Sequence, residues 1–163
     1  DPFSAMLFGI SNCSSHSRGR VQIKSNNPLD HPVIEPNYLS NKEDLRNLLE
    51  GVKVLRKLAK TNSFREVIGE EFRPGPQCQT DEQMIKHIKD TVWTVFHPSS
   101  TCKMGPNTKN NVVDSSLKVH GIECLRVADA SIFPQLVCGN INAATIMVGE
   151  KASDLILQDK VNI

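Results

Sequence analysis

The sequence predicts an α+β fold, in which short strands are combined with amphipathic helices. Three observations predict it. Apolar and polar residues alternate over 19–24, as they do in a strand with one solvent-exposed face. Segments 40–60 and 80–92 each begin with a capping signal and continue with apolar residues at helical spacing. A further helical pattern covers 143–157.

Length, composition and charge are those of an ordinary globular domain. The 163 residues are enough to bury a sizeable core, and the hydrophobic and charged fractions, 39% and 23%, are typical of soluble proteins. A net charge of +1 gives no reason to expect nucleic acid or an anionic membrane as a partner. No apolar stretch approaches the ~20 residues that span a bilayer.

The first elements are a strand and a turn-rich segment. Val21 and Ile23 lie between polar neighbours in the predicted strand 19–24. Segment 26–40 contains three prolines, which exclude a continuous helix, so we expect turns there.

Two capped helices follow. Ser40 and Glu43 fit a capping box, which predicts a helix to about Lys60. Thr80 and Gln83 repeat the pattern after a loop that the prolines around Gly75 indicate. The buried face of the first helix is predicted from Leu45, Leu48, Leu49, Val52, Leu55 and Ala59, and that of the second from Met84, Ile85, Ile88 and Val92.

The last third of the chain is predicted to contain a loop, a strand and a helix. Residues 105–118 have loop character, and 125–128 are typical of a short buried strand that ends at Asp129. The helix at 143–157 has apolar positions at 143, 146, 147, 152, 155 and 156.

Five cysteines, an odd number without a C-x-x-C pair, do not indicate a disulfide framework, and we expect buried, unpaired thiols. They are Cys13, Cys78, Cys102, Cys124 and Cys138.

The stretch HPSSTCKMG, residues 97–105, concentrates groups that can do chemistry. A hydrolase would pair His97 with Ser99, Ser100 or Cys102 as the nucleophile, but the chain has no G-x-S-x-G elbow and no recognisable partner motif. The chain has enough His and Cys residues for a four-ligand zinc site, but they lack the close spacing in pairs that is typical of such sites. It would use His97, Cys102, His120 and Cys124. The nine glycines contain no G-x-G, so this chain by itself does not supply the usual cradle for a dinucleotide pyrophosphate.

Five short motifs follow one another along the chain. They are SRGRV at 17–21, PNYLS at 36–40, HPSSTCKMG at 97–105, LRVADAS at 125–131 and GNINAATIM at 139–147. In combination they resemble the glucose–methanol–choline (GMC) family of flavin-dependent alcohol oxidoreductases over nearly the whole chain. The sequences TCKMGP at 101–106 and VGEK at 148–151 are most similar to the arthropod branch of this family. That branch includes glucose dehydrogenase-like, ecdysone oxidase-like and salicyl alcohol oxidase-like members.

This resemblance implies a domain organisation. Residues 1–104 would be part of a substrate-binding domain, an antiparallel sheet with helices that ends at the loop of the catalytic histidine. Residues 105–163 would return to an FAD-binding, Rossmann-like domain and supply its final strand and helix. The N-terminal FAD domain is missing from this sequence, so we expect the chain to be the C-terminal portion of a longer enzyme.

The resemblance also implies roles for individual residues. His97 corresponds to the active-site histidine, and Asn140 to the second catalytic position, which is His or Asn in the family. Phe96 would line the substrate side of the flavin. Ser100 departs from the family pattern, which commonly has Gly at this position.

The cofactor-binding set implied by the resemblance has four members. Asp129 and Ala130 correspond to the approach to the FAD pyrophosphate and ribityl chain. Ile141 and Asn142 precede or begin the last helix, where backbone N–H groups would meet the flavin pyrimidine carbonyl. A helix N-terminus favours the negative charge of a reduced flavin, so this assignment also has a physical basis.

The implied reaction is hydride transfer from an alcohol to N5 of FAD, with His97 as the proton acceptor and Asn140 as a hydrogen-bond donor to the developing alkoxide. The substrate would be an alcohol, sugar or sterol, and the electron acceptor oxygen or a quinone. The isolated fragment is expected to be inactive. Two alternatives remain, an inactive relative that acts as a binding protein and a flavin-containing lyase. The arthropod resemblance favours a secreted location.

Overall fold

The computed structural model describes residues 4–106 and 108–161, with side chains as far as Asp159. Within those ranges, β1 (Arg20–Gln22) and β2 (Val33–Glu35) form a two-stranded sheet. The α-helices are α1 (Lys42–Ala59), α2 (Asn62–Arg65), α3 (Asp81–Thr91) and α4 (Asn142–Val161), and a 3₁₀ helix spans Ala130–Ile132. Helices with a small sheet confirm the predicted α+β class in outline.

The chain divides into two compact units. The first unit contains the residues up to Gly19 together with Ile34–Trp93, and the second unit contains Arg20–Val33 and the residues from Thr94 onward.

Helices α1 and α3 build the core of the first unit. Leu48 and Leu49 of α1 are buried with Met84 and Ile88 of α3, and Cys78 joins them from the preceding loop. These four helix residues belong to the faces that the sequence predicts. The sequence also predicts Val92 in the buried face of α3, and this prediction is wrong, because Val92 is the cap that follows the helix and is 41% exposed.

The two predicted capping boxes have different outcomes. At α3 the box is confirmed, since the Gln83 N–H donates to Thr80 Oγ1 at 3.2 Å and the Thr80 N–H donates to Gln83 Oε1 at 3.0 Å. At α1 the prediction of Ser40 is wrong by one residue. Asn41 is the cap, and its side-chain oxygen accepts from the Glu43 N–H at 2.9 Å.

The strand prediction is right in place and wrong in burial. β1 is shorter than 19–24, and Val21 and Ile23 are 50% and 89% exposed, so neither face is buried in this structure. β2 lies inside the segment predicted as turns. It fits between Pro32 and Pro36, because prolines lack the N–H of a paired strand residue and are tolerated at strand ends. The four-residue α2 is also not predicted.

A buried carboxylate ties the N-terminal segment of the first unit to α1. Asp44, in the first turn of α1, is 1% exposed. Its oxygens accept hydrogen bonds from the Asn12 amide at 3.0 Å, the Ser15 hydroxyl at 2.9 Å, the backbone N–H groups of His16 and Ser17 at 2.7 Å each, and the Ser17 hydroxyl. We call these five residues the Asp44 knot. Burial by itself raises the pKa of Asp44, but the donors outweigh it and hold that pKa well below its ordinary range.

Gly19, two residues after Ser17 of the Asp44 knot, approaches another stretch of backbone. A Cβ atom at this position would overlap the Glu35 carbonyl oxygen and would lie 2.6 Å from the Pro36 carbonyl oxygen. Only glycine therefore fits here without a backbone shift.

We expect Gly19→Ala to lower the free energy of unfolding by about 1–3 kcal/mol, because the obstructing atoms belong to the backbone. Denaturant unfolding measures this loss. Gly69→Ala is the matched control, since a Cβ there meets nothing within 4 Å and the change is expected to be neutral or slightly stabilising. Equal stability of the two variants would contradict the close approach.

Loops provide much of the core of the second unit. Its buried residues are Val113, Leu117, Ile132, Phe133, Ile141, Val148 and Ala152. The described residues of 105–118 have only isolated bridges, which agrees with the predicted loop, yet Val113 is completely buried.

The buried strand predicted at 125–128 is not formed. Arg126 makes one antiparallel bridge with Lys118, held by hydrogen bonds from the Val119 N–H to the Leu125 carbonyl at 2.9 Å and from the Val127 N–H to the Leu117 carbonyl at 3.1 Å. Leu125 is 47% exposed. A single paired neighbour gives a bridge rather than a strand, so a final strand of a Rossmann-like sheet is not confirmed.

Helix α4 is confirmed and is longer than predicted, but its buried face differs. Val148 and Ala152 are buried, and Ala144 and Leu155 pack beside them at helical spacing. The predicted positions 143, 146, 147 and 156 are exposed instead. Apolar residues occur on more than one side of α4, so periodicity alone did not identify the packed side. None of the described helices is both long and apolar enough to cross a membrane.

The five cysteines are unpaired thiols. The expectation of burial holds for Cys78 only, since Cys13 and Cys102 are half-buried and Cys124 and Cys138 are exposed.

Candidate active site

An open cavity of about 500 Å³ lies within the second unit and is formed by three segments of the chain. The segments are 97–101, the 3₁₀ helix with its cap, and the start of α4. The lining residues are His97, Pro98, Ser99, Thr101, Asp129, Ala130, Ser131, Ile141, Asn142 and Thr145.

Backbone hydrogen bonds hold the histidine loop against the 3₁₀ helix. The N–H groups of Ser100, Cys102 and Met104 donate to the carbonyls of Ala130, Ser131 and Ile132, at 3.2, 2.9 and 2.8 Å. We call these three bonds the loop ladder. It gives the half-buried His97 a fixed support, although its segment is neither helix nor strand.

Two residues with positive φ enclose the segment 97–99. Phe96 has φ +58° and Ser100 has φ +70°, in the left-handed region that favours glycine. Side chains in this region cost roughly 1–2 kcal/mol each, and such strain concentrates at functional sites. The departure at Ser100 is therefore a strained position in this chain.

Asp129 has a structural task at the cavity. It is the cap of the 3₁₀ helix, and its Oδ1 accepts from the Ser131 N–H at 2.8 Å. This bond fixes the turn that presents Ala130 and Ser131 to the cavity.

The N-terminus of α4 forms the third side of the cavity. The buried Ile141 supplies the carbonyl that accepts from the Thr145 N–H at 2.9 Å and from the Thr145 hydroxyl at 2.8 Å. Asn142 is the first residue of the helix. The first N–H groups of a helix have no intrahelical acceptor and favour a negative charge in front of them.

The structure brings together five of the seven sequence-predicted site residues. They are His97, Asp129, Ala130, Ile141 and Asn142. Phe96 and Asn140 do not line the cavity; each precedes a lining residue in the chain. Phe96 is 75% exposed, and Asn140 is also exposed.

Gly139 determines the direction from which the chain reaches Asn140. Its φ of +145° is a value that L side chains rarely adopt, and its N–H donates to the Val137 carbonyl at 2.9 Å. The chain therefore bends tightly just before Asn140, and this backbone does not exclude a contact between Asn140 and a ligand.

Sequence reasoning missed several lining residues, among them Thr101, Ser131 and Thr145. Thr145 lies one turn after Asn142, so helical spacing alone could have identified it. Ser131 had no comparable signal, because its position depends on the loop ladder.

The structure gives no support to the hydrolase or the zinc site considered for residues 97–105. Cys102 does not line the cavity, and the Ser99 hydroxyl lies 3.2 Å from the Ser100 hydroxyl. Among the residues that the structure describes, no three His, Cys, Asp or Glu side chains are grouped so that they could hold a metal ion.

Comparison with protein families gives a match over most of the chain. The family model described as GMC oxidoreductase matches residues 15–149. Two solved structures have a similar fold. A formate oxidase from Aspergillus oryzae RIB40, solved in a study of its FAD modification, is 33% identical with a TM-score of 0.84 over 89% of this chain and 25% of its own. A fungal aryl-alcohol oxidase is also 33% identical, with a TM-score of 0.76 over 88% of this chain and 24% of its own.

Curated relatives include the oxygen-dependent choline dehydrogenase of Escherichia coli O139:H28. It is 44% identical over 147 residues, which are 90% of this chain and 26% of the relative. The chain thus spans about a quarter of the length of the curated relatives it matches.

Proposed function

Because this chain belongs to the GMC oxidoreductase family, we propose that it contributes the proton acceptor and part of the FAD site to an enzyme that oxidises an alcohol. The observation that carries this proposal is the cavity, in which His97 lies with the cap of the 3₁₀ helix and the N-terminus of α4. Alternatives that rest on His97 alone do not account for this combination.

The lining residues fit a flavin by the chemistry of their donors. The first turn of α4 offers backbone N–H groups, and Thr101 and Ser131 offer hydroxyls. Ala130 is small, and the start of α4 favours negative charge. In this proposal Asp129, Ala130, Ile141 and Asn142 hold the cofactor. When bound, FAD supplies the hydride acceptor at N5.

His97 accepts the hydroxyl proton of the substrate. An alcohol is too weak an acid to ionise by itself near neutral pH, and imidazole is the side chain that exchanges protons in this range. Asn140 is proposed to donate a hydrogen bond to the oxygen as negative charge develops on it. Phe96 is proposed to cover the substrate side; its exposed ring is consistent with contact to a ligand.

The proposal extends to the two domains, the class of alcohol substrate and the electron acceptor. Residues 1–104 are proposed to belong to the substrate-binding domain and residues 105–163 to the FAD-binding domain. The choline dehydrogenase relatives favour an amino alcohol, whereas the motifs TCKMGP and VGEK favour the sugar, sterol or aryl alcohols of the arthropod branch. Oxygen and a quinone are both retained as acceptors.

The visible flavin spectrum of the complete gene product that contains this chain tests the proposal. We expect bound flavin that bleaches when choline, glucose, benzyl alcohol or a sterol alcohol is added without oxygen, because hydride transfer removes the oxidised chromophore. Protein that takes up no FAD on reconstitution would contradict the proposal in favour of a non-catalytic relative. Bound flavin that none of these alcohols bleaches would contradict it in favour of a lyase.

A further inference from the structure

Ser100 combines three features that have no role in the mechanism above. It has the left-handed backbone, with φ +70°, that glycine adopts without cost. Its N–H takes part in the loop ladder through the 3.2 Å bond to the Ala130 carbonyl. Its hydroxyl lies 3.2 Å from the Ser99 hydroxyl in a part-buried environment. Serine at this position thus combines a strained backbone with a side-chain hydrogen bond to Ser99 that glycine could not make.

The hydroxyl pair connects Ser100 with the cavity. Ser99 lines the cavity with His97, whereas Ser100 does not. Either hydroxyl of the pair can be the donor. When Ser100 donates to Ser99, the Ser99 proton is left available to another acceptor, because a hydroxyl combines one donor with two acceptor lone pairs. The loop ladder fixes the backbone of Ser100, and the pair transfers that position to the Ser99 side chain.

We propose that Ser100 is a positioning residue that fixes the Ser99 hydroxyl as a hydrogen-bond donor to the substrate oxygen beside His97. This inference rests on the proposed function. As His97 takes the proton, the oxygen gains negative charge, and a donor already directed at it stabilises that charge without reorganisation. In the proposed reaction the O–H proton would pass to His97 and the C–H hydride to FAD, while the C–O bond of the alcohol becomes a carbonyl, so the reaction balances without a further reactant.

Two substitutions separate the hydroxyl from the strain. Ser100→Ala removes the hydroxyl and keeps the strained Cβ, whereas Ser100→Gly removes both. In the flavin-containing gene product we expect both variants to lower kcat/KM for the alcohol about 5-fold, the factor that corresponds to one net hydrogen bond. The unfolding midpoint of the Gly variant should be equal to or above that of the wild type. A purely structural role predicts the same stability for the Gly variant but full kcat/KM, and that result would overturn the proposal.

A double-mutant cycle tests whether Ser100 acts through Ser99. We expect Ser99→Ala combined with Ser100→Ala to lose no more kcat/KM than Ser99→Ala alone, because the second change removes a partner that no longer matters. Additive losses would overturn the proposal. Ser115→Ala, at an exposed serine outside the cavity lining, is the matched control and should leave kcat/KM unchanged.

A readout independent of activity distinguishes this inference from the proposed function. Crystal structures of the wild type and of Ser100→Ala should show one Ser99 rotamer in the first and several in the second. The same single rotamer in both would overturn the positioning role. Failure of the wild type to react with any alcohol would contradict the proposed function, and the rotamer comparison would still decide the role of Ser100.

Discussion

Replacing His97 by alanine is expected to slow flavin reduction by the alcohol at least ~100-fold, the lower end of what a positioned general base contributes. The loss should appear in the rate constant of reduction, measured by stopped flow without oxygen, and not in the flavin content. The structural basis is the cavity, in which His97 is the histidine among the lining residues.

His97→Gln and His31→Ala sharpen this experiment. Glutamine retains hydrogen-bonding groups but does not accept a proton, so it should be nearly as slow as alanine. His31 is exposed and outside the cavity lining, and its replacement should leave the rate unchanged. Reduction of His97→Ala at close to the wild-type rate would exclude His97 as the proton acceptor.

Asp44→Asn is expected to lower the free energy of unfolding by roughly 3–5 kcal/mol. The substitution keeps the shape of the side chain but replaces a charged acceptor by an amide. Donors of the Asp44 knot that face the new NH₂ group, including the backbone N–H of His16 or of Ser17, are left without an acceptor. Denaturant unfolding measures the loss. Asp90→Asn, which disrupts an exposed ion pair with Lys86, is the control and should cost about 0.5 kcal/mol or less.

The same variant should change the response to acid. The pKa of Asp44 is lower in the folded chain than the ordinary value of about 3.9 in the unfolded chain. Its contribution to stability is therefore complete above about pH 5 and is lost as the pH falls through 4 toward the folded-state value. In Asp44→Asn the decline of unfolding free energy below pH 5 should be shallower. Identical slopes in both proteins would refute the assignment.

Helices were predictable from the sequence wherever a cap and an apolar stripe coincide. Thr80 and Gln83 begin α3 as the capping box predicts, and α1 ends close to the predicted Lys60. The start of α1 was one residue in error because Ser40 and Asn41 are both good caps, and only the chain path decides between them. Short strands such as β2 have too few residues for a periodicity to be recognised.

Those residues of the candidate site that lie in the family motifs were predictable from the sequence. His97, Asp129 and Asn142 lie far apart in sequence, and it was the resemblance, not spacing, that grouped them. Asp44 was missed because an acidic residue in the first turn of a helix is ordinary, and nothing in the sequence indicates that it is buried. The structure also gives the SRGRV motif at 17–21 a structural role, because Ser17 donates hydrogen bonds to Asp44.

The loop ladder has a consequence for the motions of the molecule. Ser100, Cys102 and Met104 alternate along the histidine loop, and their amide protons are all held by the 3₁₀ helix. Local opening of the loop has to break the three bonds together, so these amides should exchange with solvent slowly and at similar rates. His97 thus belongs to a segment without regular secondary structure whose exchange kinetics should be those of a protein core.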